Sequence, residues 1–328
     1  MRYFGFAKET TYGTANTTAE MYLNVGKCTL DSPSDPTLEV PSFEETPSNI
    51  KKGLYSPSGD VELALDINSI LPILYFAMGQ YKYTAGSGTA KNTHEIWAAG
   101  CRQLPSFTAL VGKGECSGEG FEHRFLGCVI SKLSFALSDG LATCTASIQA
   151  QKDAAASINN SVTPEDICPL AFYEASTTLD DTDITADTTS FTFDFDNSVD
   201  PKKGQVFGTM FPSKLRSNGK TPSVTTKLVY SGKTYLAKFW GNQNGPTAKS
   251  DYFDYHIDFE DENGNELQFY FPKCAFTEVA QPIEGTDEIE QNLKLSVLKG
   301  SVTLADDSTT VRTSCLVTIK SSATAYIS

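Results

Sequence analysis

Apolar and polar residues alternate along most of this chain. The clearest case runs from Tyr255 to Phe271, where Tyr255, Ile257 and Phe259 alternate with His256, Asp258 and Glu260, and Leu267, Phe269 and Phe271 alternate on the return. Between them lies Glu262-Asn263-Gly264-Asn265. An Asn-Gly step tolerates the positive φ that tight hairpin turns require, so the segment predicts a β-hairpin with one face in a core. A second hairpin is predicted from Cys128 to Ile148. There Val129, Leu133, Phe135 and Leu137 lead into Ser138-Asp139-Gly140, and Ala142, Cys144, Ala146 and Ile148 return at period two. Shorter strand-like runs occupy 21–30, 59–65, 106–111, 190–195, 223–230, 235–240, 293–298 and 313–320. One short helix is expected after Asp66 or Asn68 as N-cap. It carries Ile70, Leu71, Leu74, Tyr75 and Met78 to Gly79 as its stop, with Pro72 in the tolerant first turn.

The runs recur in order, which signals an internal repeat. Residues 21–160 give a strand, a Pro- and Ser-rich loop from Asp31 to Pro57, strand 59–65, run 106–111, then strand 127–133 and its return. Residues 190–300 give strand 190–195, a loop from Asn197 to Pro222, strand 223–230, the Asn-Gly hairpin, then 273–279 and a return through 293–298. The expected organisation is an N-terminal arm (1–20), a first β domain (21–160), a Ser-, Thr- and Asp-rich linker region (161–189), a second β domain (190–300) and a C-terminal strand segment (301–328). Loops of about 25 residues are long for compact domains and tend to carry contacts. Two in matching positions argue for a shared contact role.

Composition narrows the function. At 328 residues the chain suits two domains, and 40% hydrophobic with 20% charged residues is ordinary for a folded protein. Lys plus Arg number 26 against 40 Asp plus Glu, a net charge of −14, which disfavours affinity for nucleic acid phosphates or anionic membranes. Neither a signal-peptide core nor a membrane-spanning apolar run is present, so synthesis in the cytoplasm is expected. The eight cysteines are scattered without a CxxC pair and read as reduced, mostly buried small hydrophobes. His94 and His123 fall in loop-like segments and His256 on the polar hairpin face, in no metal-ligand spacing. GxSxG, P-loop and GxGxxG motifs are missing, and Gly112-Lys113-Gly114 reads as a turn. The acidic runs 180–183 and 260–265 do not fit an EF-hand and read as solvated turns. No catalytic, cofactor or metal residues are predicted. A carboxylate pair for glycan hydrolysis has no sequence feature in its favour.

The opening Phe4-Gly5-Phe6-Ala7-Lys8-Glu9-Thr10-Thr11-Tyr12-Gly13-Thr14-Ala15 resembles the start of the tail tube proteins of long-tailed viruses, where an arm of this pattern precedes the first strand. Gly59-Asp60-Val61-Glu62-Leu63, Leu104-Pro105-Ser106-Phe107-Thr108, Phe125 to Leu133, and Phe271-Pro272-Lys273-Cys274-Ala275-Phe276 to Gly285 are similar in order and kind, so the likeness covers about residues 4 to 320. It implies a mostly β fold of two tandem tail-tube-type β-sandwich or barrel domains, each with little helix. It also implies a structural virion protein that polymerises as stacked rings into the channel for viral DNA. With the duplication, homotrimeric rings of pseudo-sixfold symmetry are favoured over hexamers. By the same resemblance, partners are further copies of the chain, the tape measure protein and the tail terminator and tip proteins, with viral DNA passing unbound and no membrane involved. Segments 31–58 and 197–222 would then touch the next ring through Leu38, Val40, Phe43, Val206, Phe207, Met210 and Phe211, and Asp60, Glu62, Glu278 and Glu284 would line an acidic bore. The alternative is a β-sandwich adhesin or carbohydrate-binding module, which would stay monodisperse and hold a ligand.

Overall fold

Period-two alternation becomes strand nearly throughout the chain. The computed structural model describes residues 2–33, 36–39, 46, 49–98, 100–115, 120–163, 166–283 and 289–326. Its strands begin with β1 (Arg2–Lys8), β2 (Met21–Leu23), β3 (Lys27–Cys28), β4 (Pro36–Glu39), β5 (Asn49–Lys52) and β6 (Ser58–Ala64). Helix α1 (Leu71–Met78) precedes β7 (Gly79–Thr84), β8 (Asn92–Ala98), β9 (Phe107–Gly114), β10 (Gly120–Leu137), β11 (Thr143–Gln149) and β12 (Lys152–Ser157). Then come β13 (Ala175–Leu179), β14 (Thr182–Asp183), β15 (Thr188–Asp196) and β16 (Thr221–Val229), followed by helix α2 (Thr234–Trp240). The chain ends with β17 (Phe253–Glu260), β18 (Glu266–Ala280), β19 (Glu290–Val297), β20 (Gly300–Thr303), β21 (Thr310–Thr313) and β22 (Leu316–Ser321).

All strand pairs are antiparallel. One sheet runs β2, β1, β9, β10, β12. A longer one runs β3, β6, β11, β10, β15, β16, β19, β18. The first half of β18 joins β17, β13 and β14 on one edge and β22, β8 and β7 on the other. Strands β10 and β18 are long, 18 and 15 residues, and each changes partners at mid-length.

They change partners in the same way. Against β9, β10 slips register between Phe125 and Cys128, so Phe107 faces Cys128; against β17, β18 slips so that Phe253 faces Cys274. In both, the thiol donates to the carbonyl three residues back, Cys128 to Phe125 and Cys274 to Phe271. A second slip skips Ser131 in β10 and Thr277 in β18. The extra residue of a β-bulge is left without a ladder partner, and here each donates its hydroxyl across the pair. Ser131 Oγ reaches the Ser147 carbonyl and Thr277 Oγ1 the Lys294 carbonyl, both at 3.0 Å.

The main buried cluster draws on both halves of the chain, from Phe4 to Ile319. Its centre is aromatic: Phe193 on β15 stacks parallel to Phe135 on β10 and meets Phe271 on β18 edge-on at 4.9 Å, while Phe135 lies 4.8 Å from Phe269. Most strands present one face to this cluster, which is why alternation is their signature.

Several expectations change. Residues 2–8, expected as an arm, form β1 between β2 and β9. Tyr3 to Ala7 are all buried, so this strand is covered on both faces and shows no alternation. Run 235–240, expected as a strand, is helix α2, ended by Gly241 in the left-handed region as Gly79 ends α1. Seven residues are too few for period alone to separate the two. Asp66 and Asn68, the expected N-caps of α1, stand outside it, and Ile70 takes that position. Asp66 instead accepts from the Ser69 and Cys168 amides. His94 and His123 lie in strands β8 and β10, not loops. The expected linker holds β13 and β14, and the loop after Asp31 holds the β4–β5 hairpin.

Candidate assembly surfaces

Both long loops leave the same end of the long sheet. Segment 31–58 joins β3 to β6 and segment 197–220 joins β15 to β16, and the Tyr55 amide donates to the Met210 carbonyl at 2.8 Å where they meet. Phe211 is half buried there, edge-on to the Tyr55 ring at 5.7 Å. A polar hub roots the first loop: the Asp153 carboxylate accepts from Ser32, from the Tyr55 hydroxyl at 2.8 Å and pairs with His123 Nε2 at 2.9 Å. Burial works to raise the Asp153 carboxyl, but these hydrogen bonds outweigh it and hold the group below the usual carboxylate range.

Asn197 roots the second loop. Fully buried, it donates its amide N–H to the Ser131 bulge carbonyl, and its side chain donates to Ile130 and Ala77, the last near the end of α1. Further along, the Gln151 side chain donates to the Pro212 carbonyl and the Leu215 N–H donates to the Tyr12 hydroxyl. The Ser213 N–H closes the neck on the Gly204 carbonyl at 2.8 Å. Beyond that neck Val206 and Met210 are exposed and Phe207 is wholly so, at 108%. Of the other predicted contact residues, Leu38 lies in β4, and Val40 and Phe43 lie outside the described residues.

The opposite end is apolar too. The β10–β11 turn exposes Leu141, and the segment bound to it, through the Phe172 N–H on the Gly140 carbonyl, exposes Phe172 and Tyr173. Beside them opens a pocket of about 140 Å³ with Leu137, Phe191 and Ile257 in its lining.

The solvent face of the long sheet is polar. Asp60 and Glu62 of β6, predicted from sequence, share it with Glu278 of β18, because the pairs Thr145–Glu62, Ser134–Thr145, Ser134–Asp194 and Glu278–Lys294 stand side by side across the strands. Glu284 lies outside the described residues. Sequence reasoning missed Asp194, Asp196 and Glu290 on this face, together with Lys27, Lys132, Lys227 and Lys294 and a run of Ser and Thr; only strand facing reveals them. Lys27 pairs with Glu62, Lys132 with Asp194 and Lys227 with Glu290. The face is hydroxyl-rich and slightly acidic.

The cysteines follow the sequence reading in part. Cys128, Cys144, Cys274 and Cys315 are buried, Cys28 and Cys168 half-buried, and Cys101 exposed; burial pushes the Cys274 thiol up to about 12. Cys116 lies outside the described residues.

Two edges of the long sheet are open. Among the described residues β3 pairs only with β6, and the second half of β18 only with β19. An unpaired edge displays backbone donors and acceptors and invites another strand. Open edges, apolar ends and a polar face together define a structural β protein made to contact other proteins. The family model for phage tail tube protein matches residues 2–297, and the chain belongs to that family. It is therefore a structural component of the virion tail, one that assembles into the tube through which DNA passes. No curated protein matches the chain. Among the described residues no helix is long and apolar enough to cross a membrane.

Proposed function

We propose that the chain is two tandem tube domains of one plan, that three copies close a ring of pseudo-sixfold symmetry, and that stacked rings form the tube of a long, flexible tail. The role is structural, with no catalytic step. The carrying observation is the junction between β10 and β15, where one half of the chain already adds its sheet to the other.

That junction supplies a register for the contact between copies. Moving outward from the bulges, Ser147 leads to Asp60 and Thr29 in the first half, and Lys294 leads to Thr225 and Thr192 in the second. Asp31 thus corresponds to Asp194, while Ala280 corresponds to Ser134 by the offset between the two bulges. Since Ser134 faces Asp194 within the chain, Ala280 of one copy faces Asp31 of the next. The open edges of β18 and β3 are paired by this step, and the long sheet becomes a closed wall. Its polar face then lines the bore, where six carboxylates, Asp60, Glu62 and Glu278 among them, outnumber Lys27, Lys132, Lys227 and Lys294, and three of those lysines are paired with carboxylates, so the potential toward DNA stays negative. The tape measure protein and the terminator and tip proteins are the further partners this reading implies.

Paired variants Ala280→Cys and Asp31→Cys test it. Oxidised assemblies should run as a ladder ending at three chains on a non-reducing gel, with neither single variant doing so. A ladder ending at six chains would replace the trimer by a hexamer. Rings without any cross-link would overturn the register, and a monomer holding a glycan at every concentration would favour the adhesin reading.

A further inference from the structure

Most exposed large apolar side chains of the described residues fall in two groups, although Phe121 on β10, Phe239 on α2 and Tyr252 before β17 are exposed as well. Ile50, Val206, Phe207 and Met210 belong to the loops at one end of the long sheet. Leu141, Phe172, Tyr173, Val229, Tyr230 and Ile283 gather at the other. Strand β15 links the two: it begins at Thr188, beside the pocket, and runs to Asp196, where the second loop leaves. At about 3.3 Å per residue the ends are some 25 to 30 Å apart. Isolated exposed apolar residues are ordinary; two separate groupings at opposite ends mark contact sites.

Phe207 and the pocket also match in kind. The loop that carries Phe207 is closed at its neck by the Ser213–Gly204 hydrogen bond, so its backbone loses less freedom on docking than an open loop would. The pocket's 140 Å³ is lined by Leu137, Phe172, Tyr173, Phe191 and Ile257 together with Ser and Thr residues of β13, β15 and the segment between them, and an apolar cavity of about 150 Å³ takes a benzene ring. Knob and socket at opposite ends of one chain cannot satisfy each other within that chain. They meet only in a heterologous, head-to-tail contact, which repeats without limit along an axis.

We propose that Phe207 is the plug that locks one ring to the next, and that its socket is the pocket between β10, β13 and β15 of a second copy of this chain. This rests on the tube reading, and adds to it the acceptor of the loop and the polarity of stacking. Val206 and Met210 flank the ring and cover the exposed Phe172 and Tyr173 around the mouth.

The test uses the full-length protein with electron microscopy and light scattering. Phe207→Ala should still close rings but should need roughly thirty-fold more protein to stack them, the effect of losing a central aromatic anchor; Phe207→Leu should recover part of this. A double variant, Phe207→Cys with Tyr173→Cys, should link chains of adjacent rings through a short bismaleimide, which neither single variant does. Phe207→Ala tubes as long as the parent's, or double-variant tubes without cross-links, would overturn the plug while leaving the ring reading intact. A parent chain that forms no ring at any concentration would overturn both.

Discussion

Strands β10 and β18 share their bulges, their thiol and hydroxyl hydrogen bonds and their mid-length change of partner, yet their outer edges differ. The second half of β10 has β11 on one side and β15 on the other. The second half of β18 has β19 alone among the described residues. At the Ser131 bulge Asn197 fills the Ser131 and Ile130 carbonyls from a neighbouring segment of the same chain. The difference teaches that one edge is completed within the folded chain while its counterpart still displays backbone groups that invite another strand.

The comparison breaks most visibly at Phe193, which seals the completed junction. Phe193→Ala should cost about 3–5 kcal/mol, read by denaturant melting; a melt like the parent's would mean the two halves do not depend on this contact. Asn197→Ala removes two side-chain donors and strands two carbonyls, so a loss of about 2–4 kcal/mol is expected in the monomer. Ile283→Ser, beyond the open edge, should leave the monomer melt unchanged.

Acid sharpens the contrast between the loop roots, since Asn197 carries no charge and Asp153 does. The Asp153 carboxyl is lowered on folding, so its contribution is complete above the ordinary carboxylate pKa of about 4 and is lost as pH falls through the folded value. Asp153→Asn should flatten that acid limb in melts collected from about pH 6 downward, a change that Asn197→Ala should not produce. Ser131→Ala and Thr277→Val each remove one bulge hydrogen bond and should cost about 1 kcal/mol apiece; clearly unequal costs would argue against equivalent bulges. Among the variants expected to lower stability, the smallest effect belongs to Lys132→Ala. Its pair with Asp194 is partly exposed and should contribute about 0.2–1 kcal/mol, shrinking with added salt.

Reading the sequence succeeded where one face of a strand meets the core and the other meets solvent. The Tyr255–Phe271 hairpin, strands β6 and β16, and α1 with its Gly79 stop are all legible for that reason. It failed at β1, whose two covered faces erase the alternation, and at α2, where Tyr235 and Ala237 mimic a strand's period while Gly241 carried the helix signal. The exposed apolar loop residues and the pocket divide in the same way. Val206, Phe207 and Met210 could be read as apolar residues on a long loop, whereas the pocket could not, because Leu137, Phe172, Phe191 and Ile257 come together only when four separate segments pack.

The sequence by itself determined the β class, the hairpins, the order of the strand runs and the acidic balance, since these follow from local alternation, turn chemistry and composition. Only the tertiary structure decided which face of the long sheet is polar, which edges are open and which exposed apolar residues share an end with the pocket. Those properties depend on strands brought together from distant parts of the chain, and a one-residue slip in any register would turn every side chain of that strand to the other face.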